Sequence, residues 1–114
     1  MFFNENINEI LFTNAKEIIR YNYMTLEIQT HFKFNQLMNC TPEFVVYSEN
    51  QKQVMIASFY DIIWIDLETG REIDIDETFG IGNIRSIKFN GESFYILANK
   101  SDRKLGYYLI QIHA

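Results

Sequence analysis

The sequence has few of the residues that interrupt a fold or cross-link it. It contains one proline, five glycines and one cysteine among 114 residues. Linkers and low-complexity tracts are rich in proline and glycine, so the composition excludes them. Cys40 has no second cysteine to pair with, and folding therefore needs no internal disulfide and no oxidising compartment.

Histidine is also scarce, and the chain carries no recognisable catalytic or metal-binding pattern. His31 and His113 have no second ligand at a spacing typical of zinc sites. Cys40 has no neighbouring base that would activate it as a nucleophile. Gly80 and Gly82 begin like a dinucleotide-binding motif, but they precede an expected strand, whereas that motif opens a helix. We therefore expect no enzyme activity, no catalytic residue, no cofactor and no bound metal.

Long hydrophobic runs are absent. The first residues, Met1–Asn6, place no basic segment ahead of an apolar stretch, so we expect no signal peptide. The apolar runs Phe44–Tyr47 and Ile62–Ile65 are far too short to cross a bilayer. We expect a cytoplasmic protein that does not contact a membrane.

Positive charge is in the minority. Ten Lys and Arg residues stand against fifteen Asp and Glu residues, which gives a formal net charge of −5 and a pI near 4.9. Nucleic-acid binding draws most of its affinity from Lys and Arg on the phosphate backbone. The charge therefore disfavours direct binding of nucleic acid and is compatible with a basic protein partner.

Aromatic and β-branched residues are abundant. Phe, Tyr and Trp make up 16% of the chain, and such side chains fit the pleated, half-buried surface of a sheet. The hydrophobic fraction of 47% and the charged fraction of 22% are typical of a globular domain. We expect a single β domain over residues 1–114.

Apolar segments separated by polar turns follow one plan in three parts of the chain. The middle part has Phe44–Tyr47, Val54–Ser58 and Ile62–Leu67, and the C-terminal part has Arg85–Phe89, Ser93–Ala98 and Tyr107–Ile112. The N-terminal part fits more loosely, with Glu9–Phe12, Glu17–Tyr21 and Met24–Gln29, and a short helix near residues 6–12 remains an alternative there. The repeat period is about forty residues, which is typical of propeller blades.

The repeat predicts an all-β fold of three antiparallel β-meander units, over approximate residues 7–43, 44–83 and 84–114. Apolar and polar residues alternate in Glu72–Asp76, which indicates a strand. Asn90–Gly91 is a hairpin turn signal, because both residues tolerate positive φ.

Residues 62–112 resemble the blade repeats of WD40-like β-propellers. The segment Ile63–Ile73 is similar to the end of such a blade, where a strand with Trp and Asp enters a Thr-Gly turn. Here Ile65 separates Trp64 from Asp66, and no Gly-His pair precedes the strand. The resemblance implies a partial propeller, since a closed one has 4–8 blades. Three units would form an open stack, or a dimer would complete the ring.

The segment from Asp61 to Glu77 is strongly acidic, with Arg71 as its one cation. Alternation places Glu72, Asp74 and Asp76 on one strand face. Two interpretations stay open: a solvated edge that resists pairing with other chains, and a surface for a basic partner. The candidate partner-binding residues are Asp61, Trp64, Asp66, Glu68, Glu72, Asp74, Asp76 and Glu77.

These observations favour a non-enzymatic protein-binding domain. Its size and charge suit an acidic inhibitor or immunity protein that masks a basic toxin, such as a nuclease, and in kind it resembles small bacterial toxin-immunity proteins. The alternative is a homo-oligomeric scaffold or a subunit of a larger propeller-containing assembly. A homodimer stays open and would favour the scaffold, and a lectin-like or small-ligand binder is a third class.

Overall fold

A computed structural model describes residues 1–35, 37–75, 83–99 and 106–114. The described residues form three antiparallel sheets, in which each strand pairs with the next along the chain. The first sheet contains β1 (Phe2–Asn4), β2 (Glu9–Thr13), β3 (Glu17–Asn22) and β4 (Glu27–Lys33). The second contains β5 (Phe44–Tyr47), β6 (Gln53–Ala57), β7 (Ile62–Asp66) and β8 (Glu72–Ile73). The third contains β9 (Ile84–Asn90), β10 (Ser93–Asn99) and β11 (Tyr107–His113). The predicted all-β fold of three meander units is confirmed.

The first unit departs from the prediction at its start. The sheet begins at Phe2, before the predicted boundary at residue 7, and a 3-10 turn at Glu5–Ile7 joins β1 to β2. The Asn4 side chain accepts a hydrogen bond from the Asn6 amide and caps this turn. Asn8 follows in the left-handed conformation, at φ 52°, and directs the chain into a strand. The alternative of a helix near residues 6–12 is therefore wrong.

The second sheet lies between the other two and is covered on both faces. In β6, Val54 and Ile56 face the first sheet, while Met55 and Ala57 face the third, and all four are buried. A strand buried on both faces needs apolar residues at successive positions rather than at every second one. The uninterrupted apolar runs of β6 and β7 are the sequence signature of this central position.

The first core lies between the first and second sheets. Leu11 and Ile18 from the first sheet pack with Ile56 and Ile65 from the second. Phe34 and Met38, from the connection that follows β4, complete it. Part of the connecting segment therefore belongs to the hydrophobic core.

The second core lies between the second and third sheets. Phe94, the second residue of β10, contacts Trp64 and Phe89 edge to face, with ring centroids 6.0 and 4.8 Å apart. Ile96 and Ile110 pack beside them. This core joins the third sheet to the stack through its aromatic side chains.

The tight turn between β7 and β8 requires glycine at position 70. Gly70 has φ +74°, and a Cβ there would lie 2.5 Å from Cε1 of Phe32. We expect Gly70→Ala to lower the free energy of unfolding by about 2–4 kcal/mol, through left-handed strain and overpacking. Gly91→Ala is the matched control, since Gly91 has φ +67° with nothing within 4 Å. Urea denaturation measures both variants, and equal losses would contradict the contact with Phe32.

Candidate protein-binding site

An acid-rimmed groove runs along the edge of the second sheet. Its edge strand, β8, pairs with β7 at Trp64↔Ile73 and Ile65↔Glu72. The groove has a volume of about 450 Å³ and is lined by Asn35, Ile62, Ile63, Trp64, Glu72, Ile73, Asp74 and Ile75. Its lining therefore combines apolar side chains with two carboxylates; we call it the β8 groove.

Glu72 and Asp74 are the two carboxylates of the β8 groove. Glu72 Oε2 accepts a hydrogen bond from the Asn35 amide at 2.9 Å. Asp74 is exposed. Ile73 and Ile75 point the opposite way and pack on the second core. The alternation along this segment holds, although β8 itself ends at Ile73.

Asp61 holds the chain that connects the first two sheets. Its Oδ2 accepts from the Asn39 amide at 2.8 Å, and its Oδ1 accepts from the Asn39 side chain at 3.4 Å. Together with the bond from Asn35 to Glu72, this fastens the connection to the edge of the second sheet. Two of the candidate carboxylates therefore also have structural roles.

Asp66 and Glu68 lie at the turn between β7 and β8. Asp66 Oδ1 accepts from the amides of Glu68 and Thr69, at 2.9 and 3.2 Å, as a turn-capping aspartate does. Glu68 is exposed, and its carboxylate lies 3.6 Å from the Lys52 ammonium. An exposed ion pair of this kind contributes at most about 1 kcal/mol. Glu68 is thus available to a partner at little cost.

Trp64 lies in the second core. It is 8% exposed, packs on Phe94, and donates a hydrogen bond from Nε1 to Gln53 Oε1 at 3.0 Å. Trp64 is also one of the residues that line the β8 groove. Trp64 is therefore left out of the proposed contact surface and serves as a spectroscopic reporter. Asp76 and Glu77 lie outside the described residues.

A buried ion pair between the first two sheets was not anticipated from the sequence. Glu9 is 2% exposed, and its Oε1 lies 2.6 Å from Arg20 Nε. The Tyr47 hydroxyl donates to the other carboxylate oxygen of Glu9. Burial and the adjacent Glu9 raise the pKa of Tyr47 above its ordinary value, so the phenol stays protonated. The alternation of Glu9 with the buried Leu11 was the available signal, because it places Glu9 on the inner face.

The histidines have carboxylate neighbours at the surface. His31 Nε2 lies 2.6 Å from Glu17 Oε1, and His113 Nε2 lies 3.2 Å from Glu92 Oε2. Cys40 is half-buried and unpaired. Within residues 1–35, 37–75, 83–99 and 106–114, no three His, Cys, Asp or Glu side chains are grouped to hold a metal ion.

No protein-family model matches the chain, and no curated protein matches its sequence. Solved structures that share its fold include a β-propeller domain and hydrazine synthase. The β-propeller domain of Cps50 (Swd1) from Myceliophteria thermophila superimposes with a TM-score of 0.61 at 10% identity, over 97% of this chain and 38% of that one. The fold is propeller-like. Hydrazine synthase from Kuenenia stuttgartiensis superimposes with a TM-score of 0.64 at 12% identity, over 93% of this chain and 32% of that one.

The propeller-like chain spans about a third of the length of the structures it matches. At 10–12% identity the likeness concerns the fold alone. In the part of the chain that the structure describes, no helix is long and apolar enough to cross a membrane.

Proposed function

We propose that this chain is a non-enzymatic protein-binding domain that receives a basic segment of a partner protein in the β8 groove. The observation that carries the proposal is the pairing of apolar and acidic groups in one groove. Apolar side chains contribute affinity by leaving water, while Glu72 and Asp74 select for positive charge.

An extended partner segment suits this site. β8 is the edge strand of its sheet among the described residues, and peptides commonly bind by adding a strand to such an edge. Alternate side chains of an added strand point to opposite faces, so apolar residues would lie on the side of Ile73 and Ile75, while Lys or Arg would reach Glu72 and Asp74 on the other side. Asp66 and Glu68, at the adjacent turn, extend the negative charge beyond the groove.

Among such partners we favour a basic toxin, such as a nuclease, that this chain would mask as an acidic inhibitor or immunity protein. The net charge of −5 supports this choice, since opposite net charges speed association. We also propose that the three sheets are WD40-like blade repeats and that the protein is cytoplasmic.

Selection from a random peptide library tests the groove chemistry directly. We expect enrichment of peptides in which Lys or Arg alternates with apolar residues. Synthesised peptides should then change the fluorescence of Trp64, the sole tryptophan, because Trp64 is one of the groove-lining residues. Their affinity should fall as salt rises, since the contacts with Glu72 and Asp74 are exposed.

The double variant Glu72→Gln/Asp74→Asn should weaken peptide binding about tenfold or more, through the loss of two charges. Gln at position 72 retains an oxygen that can accept from Asn35, so the fold is spared. Glu27→Gln/Glu43→Gln is the matched control, because both carboxylates are exposed and neither lines the groove. Selection of non-basic peptides, or equal binding by all three proteins, would remove the β8 groove as the site.

A further inference from the structure

Both ends of the three-sheet stack expose apolar sheet faces. On the first sheet a row of register partners crosses all four strands: Phe3, Ile10, Tyr21 and Ile28. Phe12 and Ile19 form a second pair on the same face. Phe3 is 66% exposed and Ile28 is 64% exposed. We call this surface the first outer face.

The third sheet has an equivalent surface on its far side. Leu97 pairs with Leu109, and Tyr95 pairs with Gln111, on the face opposite to the second core. Leu109 is 64% exposed, and Tyr107, at the end of the same face, is 65% exposed. We call this surface the third outer face. Apolar patches of this kind on a protein surface often mark an interaction site.

We propose that a second copy of this chain covers both surfaces, with the third outer face of each copy packed on the first outer face of the other. The first and third outer faces are distinct from the β8 groove, so the dimer does not depend on the proposed function. Two three-sheet stacks joined in this way close a ring of six blades, within the 4–8 blades of closed propellers.

The order of the sheets favours this arrangement over a symmetric pairing of like faces. Within the chain, the first sheet packs on one face of the second sheet, and the opposite face of the second sheet packs on the third sheet. If the second copy continues this stacking order, the third outer face of one copy packs on the first outer face of the other. A pairing of two first outer faces would leave both third outer faces, with Leu109 and Tyr107, in water.

The available area is sufficient for a stable dimer. A strand spacing of ~4.8 Å and a rise of ~3.4 Å per residue give each outer face a footprint of roughly 300 Å². Two contacts bury four such faces, on the order of 1,200 Å², at the lower bound of stable specific interfaces. Neither single contact would reach that size, so the dimer requires both.

Charge does not oppose the contact. On the first outer face, Glu17 has Lys33 as its register partner and lies 2.6 Å from His31. The third outer face carries Lys88 and, among its described strand residues, no carboxylate. Glu17 and Lys33 offset each other, so Lys88 meets a face on which these two strand charges balance.

Sedimentation equilibrium of the chain over a range of concentrations tests the proposal. We expect a mass of two chains that does not grow further as the concentration rises. Ile28→Lys and Leu109→Lys, on opposite outer faces, should each raise the dissociation constant at least about thirtyfold. Met24→Lys is the control, since Met24 is 69% exposed but lies in the turn between β3 and β4. Circular dichroism verifies that the variants fold.

Three results would overturn the proposal. A mass of one chain at every concentration removes the dimer. A dimer lost in Ile28→Lys but kept in Leu109→Lys shows a symmetric contact between first outer faces. Assemblies that grow beyond two chains show that the contacts do not close a ring. Because the tests leave the β8 groove unchanged, these failures are distinguishable from failure of the proposed function.

Discussion

Replacing Phe94 with alanine is expected to lower the free energy of unfolding by about 3–5 kcal/mol. Phe94 is fully buried and holds the second core together through edge-to-face contacts with Trp64 and Phe89. Its loss leaves a cavity between two sheets, which strand pairing within each sheet prevents from closing. Urea denaturation followed by circular dichroism measures the effect, and the emission of Trp64 should shift to longer wavelength.

Leu97, on the same strand, provides the control for Phe94. Leu97 lies on the opposite face of β10 and is partly exposed, so Leu97→Ala should cost less than about 1 kcal/mol in the monomer. Comparison below the concentration of dimer formation keeps the two effects separate. Equal losses for the two variants would contradict the assignment of inner and outer faces on the third sheet.

Replacing Arg20 with methionine is expected to cost about 3–5 kcal/mol at neutral pH. The substitution leaves Glu9 buried without its cation, while methionine retains most of the apolar volume of the arginine stem. Because the Arg20 side chain is 16% exposed, water can partly compensate, so the lower part of this range is favoured. Thermal or urea unfolding measures the loss.

A second substitution, at Glu9, distinguishes the effect of an uncompensated charge on Glu9 from a loss of packing around position 20. Glu9→Gln in the Arg20→Met background removes the buried charge and retains an acceptor for the Tyr47 hydroxyl. We expect the double variant to regain most of the lost stability, as in a coupled pair. A double variant no more stable than Arg20→Met would show that the charge on Glu9 is not the cause.

The sequence predicts the strands of the second and third sheets because their apolar runs are bounded by strong turn signals. It places the fourth strand of the first sheet too early. The turn there is held by the Asn22 side chain, which accepts from the amides of Met24 and Thr25, so the strand starts at Glu27. The three-residue strand β1 is too short to show a period. Alternation assigns residues to a face but does not say which sheet covers that face.

The sequence predicts where the acidic residues cluster, but only some of the hydrogen bonds that they accept. The turn at Asp66 follows from its position ahead of Thr69 and Gly70. The bonds from Asn35 and Asn39 to Glu72 and Asp61 depend on the path of the connection between sheets, which no local pattern contains.

The burial of Trp64 is not predictable from the local sequence. Its place in a blade-like segment made it a candidate contact residue, yet the central position of its sheet buries it. Burial on both faces of one sheet is a property of the stack, and the local sequence around Trp64 does not specify it.

Peptide binding in the β8 groove is tested most directly by NMR mapping of amide chemical shifts during titration with a selected basic peptide. We expect shift changes along β7 and β8, from Asp61 to Ile75, and at Asn35, which donates to Glu72. The same titration of Glu72→Gln/Asp74→Asn should leave these amides almost unchanged. Shift changes confined to the third sheet, or spread evenly over the surface, would contradict binding in the β8 groove.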